Sequence, residues 1–137
     1  MTDADAPPVP EGSSEFMRAV GLVLDEVGPT AVTGSIDLGP EHHQPWGLVH
    51  GGVYTTAIES AASVGASTAA AEHGLVAVGV NNNTNFLRSK VSGRVRVRAE
   101  PIQQGRTAQL WEVRITDDDD RLVAIGQVRL QNVTPRA

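Results

Sequence analysis

The chain contains no cysteine. That excludes a disulfide framework, a thiolate nucleophile and a thiolate metal site. It also lacks any apolar run long enough to cross a bilayer. The apolar stretch at 53–71 is interrupted by Glu59, Ser60, Ser63 and Gly65, and reads as a core helix. Positive charge is scarce, with a formal net charge of −5. Nucleic-acid binders usually present a basic surface that neutralises phosphates, so no nucleic-acid partner is expected. Residues 1–14 are polar and rich in Pro and acid, without a positive flank leading into an apolar core. They do not read as a secretory signal. The expectation is a cytoplasmic protein that does not engage membranes. There is no Gly-x-Ser-x-Gly elbow to support a serine hydrolase. The four histidines, His42, His43, His50 and His73, match no common zinc spacing, so no metal is expected.

What is present suits one domain with a modest core, since the chain has 137 residues. Residues 1–14 read as a disordered tail and 15–137 as a single domain. Ser13 or Ser14 is placed to cap a short helix through Glu15, Phe16, Met17 and Ala19. Residues 22–27 and 31–38 read as two strands around a Gly28-Pro29 turn, the second with Val32, Gly34, Ile36 and Leu38 on one side. A loop follows at 39–49. Residues 51–72 are helical in composition, with Ala, Ser and Gly on nearly every side. Small side chains let a helix approach its surroundings closely, so this helix is expected to be wrapped by a sheet. Gly74 is a plausible stop. Beyond it the chain reads as strands at 75–86, 94–100, 108–115 and 122–130. Val95, Val97 and Ala99 alternate with Arg94, Arg96, Arg98 and Glu100. Those arginines read as a solvated strand face. Residues 117–120 read as an acidic hairpin tip without a chemical role. Two strands, a long helix and four strands in meander-like succession predict an α+β fold with an antiparallel sheet.

The densest constellation is Gln44-Pro45-Trp46-Gly47-Leu48-Val49-His50-Gly51-Gly52, followed by Glu59 and Ser63. Two glycines opening a helix leave backbone N–H groups uncovered at the positive end of the helix dipole. Such groups polarise a carbonyl oxygen and hold the oxyanion of acyl transfer. The same pair also suits a tight turn that merely needs glycine, and this piece alone does not separate the two. Glu59 is the sole acid within 53–71. A carboxylate among small apolar residues needs a partner, unless it lies on an exposed stripe. Ser63 is four residues on and shares its face.

Taken together, the polar amide, the His50-Gly51-Gly52 turn and the helix acid resemble the hotdog-fold acyl-CoA thioesterases. The similarity is to the branch holding the phenylacetate-pathway and hydroxybenzoyl-CoA enzymes. It runs from about residue 16 to 132 and includes Asn85-Phe86-Leu87-Arg88 and the Gly105-Arg106-Thr107 turn. The resemblance implies a long central helix wrapped by a curved antiparallel sheet, and hydrolysis of an acyl-CoA to a carboxylic acid and free CoA. It implies a site made of Gln44, Gly51, Glu59 and Ser63. In it the Gly51 N–H polarises the thioester carbonyl and Gln44 positions the carbonyl or the water. Glu59 acts as nucleophile or general base, and Ser63 is a helper. His50 and Gly52 belong to the same turn, and Arg88, Arg106 and Thr107 match places where relatives contact CoA. The pairing of Glu with Gln is most similar to the aromatic-acyl enzymes. No cofactor beyond the CoA of the substrate is implied. The family also implies homodimers that pair into tetramers. A non-catalytic acyl-CoA-binding domain and a hotdog dehydratase stay open at this point. Helix geometry adds one constraint: Gly51 and Glu59 are eight residues apart, roughly 12 Å along a helix axis. A thioester carbon must lie within about 3 Å of both groups. One copy cannot meet both distances, so each site is expected to be shared between two subunits.

Overall fold

The computed structural model describes residues 15–136, and the expected N-terminal tail lies outside them. A short helix α1 (Glu15–Val20) leads into strands β1 (Val23–Val27) and β2 (Val32–Leu38). A 3₁₀ turn (Pro40–His42) and a loop precede helix α2 (Gly51–Ala71). Strands β3 (Val76–Phe86), β4 (Gly93–Gln104), β5 (Ala108–Asp117) and β6 (Leu122–Val133) complete the chain. All six strands form one antiparallel sheet around α2, the expected hotdog arrangement.

The sheet order is β1-β2-β4-β5-β6-β3. The meander reading therefore holds for β4 to β6 and fails for β3. That strand pairs with β6 along its length and lies at the far edge from β1. Its composition explains the placement. Asn81, Asn82, Asn83 and Asn85 are poor strand formers that cannot fill a buried interior position on both faces. An edge leaves one backbone rim and most of these amides exposed.

The helix touches every strand because its residues are small. Ala57, Ala61, Ala62 and Ala66 are buried against the sheet. At Gly65 a Cβ would run into the Trp111 ring, so glycine there is the hole that seats the largest core side chain. Trp111 donates its indole N–H to Gln109 Oε1 at 2.9 Å. Gln109, itself buried, donates to the Ala66 carbonyl at 3.0 Å and to Asn132 Oδ1 at 2.9 Å. This buried amide is thus fully partnered, the condition under which a polar core group costs little.

On the convex side the alternation in β4 points Arg94, Arg96 and Arg98 outward. Each meets a carboxylate: Asp37 at 3.0 Å, Asp118 at 3.9 Å and Glu100. Arg94 holds the Asp37 carboxyl below its usual range by hydrogen bond and charge. The acidic tip differs from its sequence reading in one respect. Asp117 closes β5 and is buried, accepting from the backbone N–H of Asp119 (2.9 Å) and Arg121 (3.0 Å) and from the Arg121 guanidinium (3.1 Å). Burial works against its charge, but those donors outweigh it and the carboxyl sits below its ordinary value. It is a brace for the β5–β6 hairpin.

Candidate active site

Helix α2 starts at a capped turn. His50 is the N-cap, and its Nδ1 accepts from the Gly52 N–H at 2.7 Å. That bond fixes the ring's proton on Nε2 and takes up the Gly52 donor. The Gly51 N–H, one residue earlier, has no hydrogen-bond partner among the described residues. It is left at the positive end of a 21-residue helix. A Cβ on Gly51 would lie 2.7 Å from the tip of the exposed Phe86 ring, so a side chain there would have to displace that ring.

Two loops wall the space in front of Gly51. The loop at 39–50 and the loop at 87–92 are tied by the Val49 N–H to the Lys90 carbonyl (2.9 Å) and by His43 Nε2 to the Val91 carbonyl (2.7 Å). His42 is buried beneath, accepting from the Gly39 N–H and donating to the Ala19 carbonyl, each at 3.1 Å. Three of the four histidines thus serve the backbone. The cavity between the loops measures about 290 Å³, and Gln44, Leu48, Gly51, Tyr54, Phe86 and Arg88 are among its lining residues. Gln44 Oε1 accepts from the Trp46 N–H at 2.5 Å and the Leu48 N–H at 3.5 Å. Its Nε2 faces no acceptor among the described residues and is left as a donor. Arg88 is exposed at the rim and makes no ion pair among the described residues.

Tyr54 sits on α2 one turn beyond Gly51. It is 3% exposed, and its hydroxyl has no partner among the described residues. Leaving a buried hydroxyl unpaired costs about 1–3 kcal/mol. Burial pushes its pKa up to about 12, so the group is a neutral phenol throughout the physiological range.

Glu59 does not line this cavity. Two turns along α2, half-buried, its carboxylate rests on the bare backbone of Gly79 in β3, where any Cβ would collide with Oε1. Asn82 donates from Nδ2 to Glu59 Oε2 at 3.3 Å and to the Thr55 carbonyl at 3.2 Å. Thr84 in turn donates to Asn82 Oδ1 at 2.7 Å. This Thr84–Asn82–Glu59 chain was not read from the sequence. Ser63 is half-buried one turn beyond Glu59, and its hydroxyl makes no hydrogen bond among the described residues.

Arg106 and Thr107 stand elsewhere again, exposed on the β4–β5 turn. Asn132 braces that turn through the carbonyls of Gly105, Arg106 and Thr107. Thr107 lines a second cavity of about 470 Å³ with Asn81, Asn83, Gln103 and Arg129. Because strand side chains alternate, Asn81 and Asn83 face this cavity while Asn82 faces Glu59. Arg88 and Arg106 flank opposite ends of β4, whose 12 residues at about 3.3 Å each span roughly 40 Å. In one chain, then, Gln44, Gly51 and Arg88 come together, Glu59 and Ser63 form a second group, and Arg106 and Thr107 a third.

Known proteins share this fold. The profile of the thioesterase superfamily matches residues 47–124. A Mycobacterium tuberculosis protein named "Putative esterase Rv1847" is 50% identical over 123 residues, covering 88% of each chain. Its solved structure superposes with a TM-score of 0.85, over 89% of this chain and 98% of that one. A 1,4-dihydroxy-2-naphthoyl-CoA hydrolase of Listeria monocytogenes is 34% identical over 112 residues, 82% of this chain and 90% of its own. The structure of a Haemophilus influenzae thioesterase, HI1161, is 29% identical with a TM-score of 0.81, covering 89% of this chain and 85% of that one. With the helix, the glycine turn and the wrapping sheet all in place, the chain belongs to the thioesterase superfamily and is a thioester hydrolase.

Proposed function

We propose that the protein hydrolyses acyl-CoA thioesters in sites shared between two copies of the chain. The observation that carries this reading is the separation along α2 of an unpaired donor, the Gly51 N–H, from the acid at Glu59. The helix is unbroken from Gly51 to Ala71, so the roughly 12 Å between them stands. A second copy lying antiparallel brings the donor group of one chain to the acid of the other.

The edge strand β3 supplies a surface for that copy. It is 11 residues long, unpaired on its outer rim among the described residues, and exposes Val76, Val78 and Val80. Long apolar edges are templates for pairing with another chain. Pairing through β3 would set two α2 helices side by side with two equivalent sites.

In such a site the thioester oxygen accepts from the Gly51 N–H, with the helix dipole behind it, and Gln44 Nε2 holds the carbonyl or the water. Glu59 of the other copy either removes a proton from the attacking water or attacks the carbonyl carbon itself. In both routes the oxygen gains negative charge opposite the Gly51 N–H. The C–S bond then breaks, and the CoA sulfur leaves as thiolate and takes a proton; on the second route the acyl group is left as a mixed anhydride on Glu59, which water then hydrolyses to the carboxylic acid, freeing the carboxylate. Asn82 holds the carboxylate in register, and Ser63 is close enough on the helix face to guide the water. Arg88 of one chain and Arg106 and Thr107 of the other fall on the two sides of the joint site and engage the CoA.

Subunit mixing tests the shared site. One chain carries Glu59→Ala, and the other carries Gln44→Ala with a bulky substitution at Gly51. Each mixed dimer then holds one doubly defective site and one intact site. Half of a statistical mixture is mixed dimer, so about a quarter of native activity per site should return. If mass spectrometry shows exchange and no free thiol is released from acyl-CoA, the sites are not shared.

A further inference from the structure

The Glu59 carboxylate is seated by an irregularity in β3. Gly79 pairs with Leu130 and Asn81 with Arg129, so Val80 is an extra residue on its strand, a β-bulge. Strand side chains alternate, and without the extra residue Gly79 and Asn81 would share the inner face. With it, Gly79 and Asn82 both face α2, opposite the buried Leu130 and Val128, while Val80 and Asn81 are exposed. The carboxylate spans the two. Its Oε1 lies over the bare backbone of Gly79, and its Oε2 accepts from Asn82 Nδ2 at 3.3 Å.

Both ends of the Asn82 amide are engaged. Nδ2 donates to Glu59 Oε2 and to the Thr55 carbonyl, one hydrogen for each. Oδ1 accepts from the Thr84 hydroxyl at 2.7 Å. Thr84 pairs with Gly126 across the sheet, and a Cβ on Gly126 would lie 2.6 Å from the Thr84 oxygen. The sheet is therefore bare beneath the hydroxyl, as it is beneath the carboxylate. Valine has nearly the shape of Thr84 and suits a strand as well, so the hydroxyl is the part of Thr84 that reaches Asn82. Glu59 Oε1, by contrast, receives no donor among the described residues.

We propose that Thr84 is a positioning residue for hydrolysis: through Asn82 it holds Oε2 of Glu59 and leaves Oε1 as the oxygen that acts. The assignment rests on Glu59 serving as base or nucleophile in the hydrolase reading above. In either role Oε2 keeps its bond to Asn82. It is the carbonyl oxygen once Oε1 has taken a proton from water or has bonded to the acyl carbon. The terminal torsion of a glutamate is broad, so a carboxylate without this hold turns away from its line of attack, and misplacement of that kind slows the reaction.

The test follows thiol release from the acyl-CoA that wild type turns over fastest, chosen from a panel running from acetyl-CoA to palmitoyl-CoA and including benzoyl-CoA. Rates are taken per folded molecule. Thr84→Val should lower kcat about tenfold, with KM within about twofold of wild type. Thr84→Ser restores a hydroxyl and should bring kcat back to within about threefold. Asn82→Ala should cost at least as much as Thr84→Val. Adding Thr84→Val to Asn82→Ala or to Glu59→Ala should change kcat by less than about twofold, because the three residues act as one unit. Native kcat in Thr84→Val or Asn82→Ala overturns the assignment. So does a loss that serine does not restore, or one that reappears in full in the Glu59→Ala background. Each of these leaves the hydrolase reading standing. Near-native turnover by Glu59→Ala, or no hydrolysis of any acyl-CoA by wild type, sinks the underlying reading itself.

Discussion

The two halves of α2 are built from the same small residues and do different work. In the C-terminal half the buried polar side chains at the helix are satisfied among the described residues. Gly65 seats Trp111, and Gln109 bridges the Ala66 carbonyl, Asn132 and the Trp111 indole. The N-terminal half leaves groups open among the described residues: the Gly51 N–H, Gln44 Nε2 and the Tyr54 hydroxyl. Glu59 lies between, half-buried with a single amide donor, Asn82. Unpaired buried groups cost stability, so the open half has to be carried by the closed one. The comparison teaches that stability and recognition are segregated along one helix, and that substitutions should separate them.

Trp111→Ala should have the largest effect. Deleting a fully buried Trp costs about 3–5 kcal/mol, a large share of the roughly 5–15 kcal/mol that holds a domain folded. Urea unfolding followed by circular dichroism measures it. Activity per folded molecule should be close to wild type, and a disproportionate loss of turnover would break the division between the halves. Glu59→Ala is the converse case. Its kcat should drop at least ~10²-fold with KM little changed, because the lost interaction belongs to the transition state. The urea midpoint should hardly move. Near-native turnover in this variant would remove Glu59 from the mechanism.

Much of this division was legible before any coordinates. The alternation in β4, the Gly51 start of α2 and its small-residue surface are local patterns, and local patterns survive in a single sequence. The acid at 59 was legible because a lone carboxylate in a small apolar segment is chemically conspicuous. What was missed depends on distant pairing. Asn82 is 23 residues from Glu59, and no periodicity connects a helix residue to one on the edge strand of a sheet. The Asn-rich run at 81–85 was a usable signal that this strand lies at an edge, and reading it would have corrected the meander. Tyr54 sits among small and apolar helix residues, and nothing local in the sequence singles out its hydroxyl. Gly79 carries no signal at all until the Glu59 carboxylate is seen lying on it. Gly79→Ala sharpens that last contact. The added methyl must push the carboxylate aside, and a misplacement of about 1 Å can cost up to ~10²-fold in rate. We expect kcat to fall ~10-fold or more while the strand, freed of a glycine, gains up to about 1 kcal/mol. Unchanged kcat would mean that Glu59 does not work from its resting position.

Arg88→Ala probes the rim of the open half and should have the smallest effect. The guanidinium is exposed and has no carboxylate partner among the described residues, so its removal leaves no buried charge behind. Stability should not change. If the group holds a CoA phosphate, the loss is that of a charge-assisted hydrogen bond at a wet surface, about 1–2 kcal/mol. It belongs in KM, because the phosphates lie far from the reacting carbon and are held equally before and during reaction. Raising salt should shrink the difference between wild type and variant, since exposed charges are screened. A pantetheine thioester with the same acyl group lacks the nucleotide and its phosphates, so the two proteins should hydrolyse it alike. An equal KM increase on both substrates would place Arg88 against the acyl or pantetheine portion.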